Sequence, residues 1–172
     1  MDISKKYNVI NADPPWTIKT YSNKGKDRSP EKHYSVMTLQ DIKDLPVNKI
    51  ANDDSVLLMW VVDPLLDKAF EVINAWGFKY STTLIWTKKP RGLGLGGTFT
   101  TNAEYLLLAY RGKQNALKKH DSCWWELPRS YHSKKPDFFR DMIAETYDDK
   151  EKKIELFARE KTEGWDVWGN EV

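Results

Sequence analysis

Eight consecutive residues without a charge, Ser55 to Val62 (SVLLMWVV), leave few folds open to this chain. A strand without polar alternation is typical of the centre of a parallel sheet that is covered on both faces. The run stops at Asp63-Pro64, and the apolar residues of Leu65–Trp76 then recur at helical spacing until Gly77. We therefore expect a strand followed by a helix, with Asp63 as the helix cap and Pro64 at its first turn.

The other apolar segments alternate between strand and helix patterns. They predict strands at Lys6–Ala12, Thr82–Thr87, Glu104–Tyr110, Lys153–Ala158 and Asp166–Trp168, and a helix from Pro136 to about Tyr147. Two of these strands, 82–87 and 104–110, are joined without a helix, which indicates an antiparallel edge on a mostly parallel sheet. The pattern predicts an α/β sandwich whose ligands bind at the carboxyl ends of the strands.

Composition excludes several classes of protein. The length of 172 residues predicts one domain, spanning residues 1–172. Cys123 is the only cysteine, so we expect neither disulfides nor a cysteine-rich zinc site, and a cytoplasmic location. The N-terminus lacks a signal-peptide pattern, and no apolar run is long enough for a membrane span. We also expect no metal, because the three histidines show no ligand spacing.

Asp13-Pro14-Pro15-Trp16 is the most specific chemical feature, because it stands where an apolar strand ends. The two prolines stiffen the backbone and leave carbonyl groups without a competing local N–H, so a carboxylate and a carbonyl can point into one crevice. Together they can accept both hydrogens of an amine and aim its nitrogen at an electrophile. Trp16 is expected to stack on the base that carries the amine; the alternative is a rigid turn with a buried ring.

At these residues the chain resembles the MT-A70-type adenine-N6 methyltransferases, which include the catalytic subunit of the eukaryotic messenger-RNA adenosine methyltransferase. The resemblance continues in order along nearly the whole chain, through YSVM (34–37), the strand 57–61, WG (76–77), IW (85–86), HSKKPD (132–137), IELFAR (154–159) and GN (169–170). It implies a Rossmann-like methyltransferase sheet with the motifs in permuted order, and S-adenosylmethionine as cofactor.

The resemblance also implies roles for individual residues. Asp13 would bind the target amine and border the cofactor, and Trp16 and Tyr34 would line the base pocket. The residues expected to hold the cofactor are Asp13, Lys135, Arg159, Asn170 and Glu171. Lys135 would bind the methionine carboxylate, and the last three would contact the ribose side.

Each of these assignments has a simpler alternative. Tyr34 would then be a packing residue, Lys135 a solvated lysine before a helix, and Arg159 a partner in a surface ion pair. The long polar stretch after the catalytic turn contains three cations that we expect to contact substrate phosphates, Lys24, Lys26 and Arg28. The glycine-rich segment 92–97 is interpreted as a lid or a loop that contacts nucleic acid, with an ordinary surface loop as the alternative.

The leading hypothesis is an S-adenosylmethionine-dependent methyltransferase acting on the N6 amine of adenine in DNA. RNA is the alternative substrate, and the N4 amine of cytosine presents similar hydrogens. A noncatalytic nucleic-acid-binding partner subunit is the alternative from another class. The intact Asp13 and Lys135 argue against such a partner.

Overall fold

The computed structural model describes residues 1–17, 37–89, 98–113, 116–129, 134–148, 150–170 and 172. Five of the residues predicted to belong to the site lie outside these ranges: Lys24, Lys26, Arg28, Tyr34 and Glu171. The glycine-rich segment 92–97 also lies outside them.

The described residues form one sheet with helices between its strands. The strands are β1 (Tyr7–Ala12), β2 (Ala51–Val61), β3 (Lys79–Lys89), β4 (Ala103–Arg111), β5 (Trp124–Pro128), β6 (Lys153–Leu156) and β7 (Asp166–Trp168). The helices are α1 (Leu39–Lys43), α2 (Val47–Ile50), α3 (Leu66–Ala75) and α4 (Asp137–Thr146), with a 3-10 turn at Asp63–Leu65.

The sheet order is β5-β3-β4-β2-β1-β6-β7. Of the seven described strands, only β4 runs against its neighbours, β2 and β3; the other neighbouring strands are parallel. The predicted α/β class with a mostly parallel sheet is confirmed. The antiparallel strand β4 lies inside the sheet rather than at its edge, because it pairs with β2 on one side and with β3 on the other.

Both faces of the central strand are covered, as the uncharged run predicts. Leu57, Met59 and Val61 belong to the core under α1, α2 and α3, whereas Leu58 and Trp60 belong to the core under α4. The sheet therefore lies between two helical layers. This arrangement fixes the carboxyl ends of β1, β2 and β6 at one edge, where the predicted site residues stand.

The connection after β2 corrects one local prediction. Asp63 does not cap the helix; its carboxylate accepts a hydrogen bond from the Tyr105 hydroxyl at 3.2 Å, and the 3-10 turn precedes α3. Gly77 ends the helix as predicted, with a φ of +81° that a glycine adopts without strain.

Three elements were not predicted. Helix α1 begins with a capping box between Thr38 and Asp41, a short signal that the polar surroundings obscured. Helix α2 is only four residues long. Strand β5 has one neighbour among the described strands and alternates between exposed and half-buried residues, so it lacks an apolar run. Among the described helices, none has the length and apolar character to cross a membrane.

Candidate active site

The catalytic turn leaves β1 at the carboxyl edge of the sheet. The Asp13 N–H donates to the Leu156 carbonyl at the end of β6, at 3.4 Å. The prediction that the proline carbonyls have no local donor is wrong: the Trp16 N–H donates to the Pro14 carbonyl at 2.8 Å, and the Met37 N–H to the Pro15 carbonyl at 3.1 Å. A carbonyl oxygen has two lone pairs, so the Pro14 oxygen retains one acceptor position.

Trp16 is an anchor of this turn. The residue is 9% exposed and belongs to the core, and its indole N–H donates to the Trp60 carbonyl of β2 at 3.0 Å. A ring held in this way has little free surface. The position favours a structural role over the predicted stacking on the substrate base, which stays a prediction.

Lys135 lies in a chain of alternating charges. Its Nζ is 2.8 Å from Asp13 Oδ2 and 3.2 Å from Glu104 Oε2, and Glu104 also contacts the ammonium of Lys88. The side chain of Lys135 is 18% exposed and that of Glu104 is 10% exposed. Lys135 is therefore not a solvated lysine before a helix. Two cations and two carboxylates balance each other in a mostly buried cluster.

The charges of this cluster support one another. Burial alone would raise the pKa of Glu104, but the ammonium groups of Lys135 and Lys88 outweigh it and hold that pKa below its usual value. Burial alone would lower the pKa of Lys135, but the carboxylates of Asp13 and Glu104 outweigh it and raise that pKa. Both groups are charged at neutral pH. The Lys135 ammonium also lies 5.5 Å from the centre of the Trp60 ring, within cation–π range.

A pocket of about 340 Å³ adjoins the Asp13–Lys135 pair. Its walls come from the ends of β1, β2 and β6 and from the start of α4: Asn11, Asp13, Trp60, Lys134, Lys135, Pro136, Asp137, Phe139, Arg140, Glu155, Phe157, Arg159 and Glu160. Asp13 and Lys135 line this pocket, whereas Glu104 and Lys88 do not. The ion pair therefore separates the pocket from the other half of the charged cluster.

Within the described part of the chain, two buried oxygen atoms of the pocket wall have no hydrogen-bond partner, Asn11 Oδ1 and Glu155 Oε2. The two residues are register neighbours on β1 and β6. Glu155 Oε2 is 3.6 Å from Arg140 Nη1, an ion-pair distance too long for a good hydrogen bond. Burial is the main cause of the raised pKa of Glu155, against the opposing effect of Arg140. Unpaired buried acceptors side by side indicate a place for a donor group of a ligand.

The turn after β6 is shaped by close backbone packing. Phe157 adopts a φ of +64°, an unusual conformation for a residue with a side chain, and it lines the pocket. A Cβ at Gly169 would lie 2.3 Å from the Ala158 carbonyl oxygen, so the end of β7 packs directly on this turn. Arg159 lines the pocket, and its contact with the cofactor ribose stays a prediction; Asn170 is exposed and does not belong to the pocket wall.

Several polar residues of this site were not predicted from the sequence, among them Asn11, Lys88, Glu104 and Glu155. Each lies within or at the end of an apolar strand pattern, where a polar residue is easily interpreted as a boundary. A charged residue in a strand that is otherwise buried was the available signal for Glu104 and Glu155. Among the described residues, no group of acidic, histidine and cysteine side chains has the arrangement of a metal site.

Comparison with known proteins places these residues in a wider context. The MT-A70 family model matches residues 7–171. The Type II methyltransferase M.MunI of Mycoplasma sp is 32% identical over 188 residues, covering 98% of this chain and 78% of that protein. A probable N(6)-adenosine-methyltransferase MT-A70-like of Oryza sativa subsp. japonica is 27% identical, and the match covers 100% of this chain and 24% of that protein. The N(6)-adenosine-methyltransferase catalytic subunit METTL3 of Homo sapiens is 27% identical, and the match covers 100% of this chain and 29% of that protein. The chain thus spans less than a third of the two eukaryotic relatives.

Proposed function

This chain belongs to the MT-A70 family, and we propose that it transfers a methyl group from S-adenosylmethionine to the N6 amine of adenine in DNA. The observation that carries the proposal is the Asp13–Lys135 pair at 2.8 Å, which stands at the carboxyl end of β1 beside the pocket. Family membership makes the chain a methyltransferase; the base, the nucleic acid and the roles of individual residues are our proposal.

Methyltransferases of this family use S-adenosylmethionine, and the described residues fit its methionine end. The unpaired Asn11 and Glu155 oxygens would accept hydrogen bonds from the α-ammonium group. Lys135 would bind the α-carboxylate with a proton of its ammonium, which has three. Arg159, farther along the same wall, would face the ribose. The pocket volume of about 340 Å³ lies within the usual range of small-molecule sites.

The bound cofactor supplies an electrophilic methyl group on a sulfonium centre. The work of the protein is to present the amine. The N6 lone pair of adenine is delocalised into the ring, so the free amine is a weak nucleophile. Asp13 Oδ1 and the remaining lone pair of the Pro14 carbonyl would accept its two hydrogens and favour a pyramidal nitrogen aimed at the methyl group. After transfer, the nitrogen carries a surplus proton, which the hydrogen-bonded Asp13 carboxylate would take and pass to water.

Lys135 holds the Asp13 carboxylate in position for this task. Its ammonium binds Oδ2 and leaves Oδ1 as the acceptor for the amine. Glu104 and Lys88 stand behind Lys135 and restrict its movement. The cluster therefore orients the catalytic carboxylate and contributes one cation to the cofactor pocket, which couples the two halves of the site.

DNA stands ahead of RNA because of the extent of the matches. The relative named as a Type II methyltransferase is covered over 78% of its length, whereas the relatives named as N(6)-adenosine methyltransferases are covered over 24% and 29%. The Type II methyltransferase also shares more identical residues with this chain, 32% against 27%, and both differences support our choice of DNA. RNA is the second candidate, since the adenosine enzymes match across the whole of this chain.

The test is transfer of a labelled methyl group from the cofactor to DNA and RNA pools of matched sequence. We expect label in DNA with the wild type and about a hundredfold less with Asp13→Ala, the usual loss for a residue that stabilises the transition state. Label in RNA alone would refute the choice of DNA. No label in either pool, from protein that binds the cofactor, would favour the noncatalytic partner.

A further inference from the structure

The carboxyl ends of β3 and β5 extend the catalytic edge of the sheet beyond the charged cluster. Lys88 contacts Glu104, and the next residue, Lys89, ends β3 with a side chain that is 68% exposed. Its nearest described carboxylate is Glu126, at 3.9 Å, a distance at the limit of an ion pair. Neighbouring residues of one strand thus serve two purposes, since one lysine supports the site and the other faces solvent.

A second cation stands beside Lys89. The Arg129 N–H donates to the Lys89 carbonyl at 3.2 Å, which fixes the backbone just after β5 against the last residue of β3. The Arg129 side chain is exposed. The main chain therefore holds two exposed cations at adjacent strand ends, on the edge where the substrate must approach Asp13.

An exposed aromatic ring accompanies these cations. Phe99 is 84% exposed, the highest exposure among the large hydrophobic residues described. It stands three residues before Asn102, whose carbonyl accepts the Lys88 N–H at 2.9 Å, so this segment returns to the end of β3. Leaving a phenyl ring in water costs free energy, and a solvent-facing ring in a segment that leads to the same strand ends as the two cations suits a stacked base.

We propose that Lys89, Arg129 and Phe99 form a substrate ridge that binds the nucleic-acid strand next to the target adenine. The cations would contact backbone phosphates, and the ring would stack on a neighbouring base. The proposal rests on the proposed function, because it assumes that the substrate is a nucleic acid. A protein partner on the same ridge is the competing outcome of the test.

The ridge lies on the same edge of the sheet as the catalytic carboxylate. Lys88 precedes Lys89 of the ridge and begins a series of contacts that ends at the catalytic carboxylate. Lys88 contacts Glu104, which lies 3.2 Å from Lys135, and Lys135 lies 2.8 Å from Asp13. A strand that delivers its base to Asp13 must pass this edge of the sheet. An adenine that leaves its stack also leaves a neighbouring base with an uncovered face, and an aromatic side chain can cover that face.

The charge of the ridge is tested by the salt dependence of DNA binding. The wild type and the Lys89→Ala/Arg129→Ala variant are titrated with a fluorescent oligonucleotide at several KCl concentrations. Loss of two phosphate contacts should reduce the slope of log affinity against log salt by about 1.4 to 1.8, since each contact contributes about 0.7 to 0.9. The control is Lys79→Ala/Lys119→Ala, which removes the same charge from exposed positions near the opposite ends of the strands.

The ring is tested separately. Phe99→Ala should weaken binding about tenfold at every salt concentration, and Phe99→Tyr should retain it, because stacking needs a ring and no charge. Calorimetry should give unchanged cofactor affinity for all these variants, which shows that they fold.

Several results would overturn the ridge. If the wild type methylates nucleic acid and the double variant keeps the slope of the control, the ridge is wrong and the proposed function stands. If Phe99→Ala binds as the wild type does, the ring has no part in binding. If the wild type binds neither DNA nor RNA, the ridge and the proposed function both fail, and a protein partner takes their place.

Discussion

Replacing Lys135 by alanine removes the cation that lies between two carboxylates. Asp13 and Glu104 would then face each other without the ammonium that separates them at 2.8 and 3.2 Å. Only 18% of the Lys135 side chain is exposed, so solvent screens the loss poorly. Removing one partner of a buried ion pair typically costs about 3 to 5 kcal/mol. We expect Lys135→Ala to lower the free energy of unfolding by about 3 kcal/mol, the lower end of that range, because this site lies at an edge of the sheet.

The neighbouring lysine provides a matched control. Lys134 makes ion pairs with Asp137 and Glu160 at 3.2 and 2.8 Å, but 41% of its side chain is exposed. Surface pairs of this kind contribute about 0 to 1 kcal/mol. In a chain of this size about 3 kcal/mol corresponds to a melting-temperature decrease of about 6 to 12 °C, so thermal unfolding should separate Lys135→Ala clearly from Lys134→Ala.

The pH dependence of this difference follows from the signs of the two pKa shifts. The lowered pKa of Glu104 makes its contribution present above the ordinary value of 4.5 and lost as the pH falls through the lower value in the folded protein. Because the pKa of Lys135 is raised, its contribution to stability is fully present below pH 10.5 and is lost as the pH rises through the higher pKa of the folded protein. The difference in free energy of unfolding between wild type and Lys135→Ala should therefore be constant near neutral pH and become smaller in acid.

A double variant tests the reasoning further. Glu104→Gln should partly rescue Lys135→Ala, because it removes one of the two facing negative charges, so the two effects should be less than additive. Calorimetry should also give cofactor binding about ten- to a hundredfold weaker for Lys135→Ala, the value of a charge-assisted hydrogen bond. Equal stability of the Lys134 and Lys135 variants, or strict additivity with Glu104→Gln, would refute the electrostatic account of the cluster.

Three further predictions concern the catalytic turn and the pocket wall. Asp13→Asn should bind the cofactor but reduce turnover about a hundredfold, as measured by single-turnover kinetics, because it replaces one acceptor of the amine by a donor. Trp16→Phe should lower the free energy of unfolding by about 1 kcal/mol through loss of the hydrogen bond to the Trp60 carbonyl. A higher KM for nucleic acid without loss of stability would contradict this structural role and support stacking of Trp16 on the substrate base. Gly169→Ala should cost about 1 to 3 kcal/mol in a denaturant titration, because its methyl group would overlap the Ala158 carbonyl; unchanged stability would show that the backbone moves freely there.

The sequence was a good guide to the elements that form the centre of the sheet. Strands β1, β2 and β4 and helices α3 and α4 have long apolar patterns, and their observed bounds lie close to those predicted. Strand β5 escaped prediction because an edge strand buries little. The internal position of β4 comes from its pairing with β2 as well as with β3, and the pairing of strands that are not consecutive in sequence leaves no local pattern.

The site was predictable only in part for a similar reason. Asp13 and Lys135 stand in specific motifs, and the structure brings them into contact although they are 122 positions apart. Glu104 belongs to the same cluster, but its role depends on β4 lying next to β2 and β3, a tertiary arrangement. The unpaired oxygens of Asn11 and Glu155 likewise become informative only once β1 and β6 are seen to be neighbours.

Identification of the methylated nucleoside shows which base and which nucleic acid the protein methylates. DNA and RNA of matched sequence are incubated with the wild type and the cofactor, digested to nucleosides and analysed by mass spectrometry, with Asp13→Ala as the control. We expect N6-methyladenine in the DNA digest and its near absence with Asp13→Ala. N4-methylcytosine would contradict the assignment of the base, and N6-methyladenosine confined to the RNA digest would contradict the assignment of the substrate.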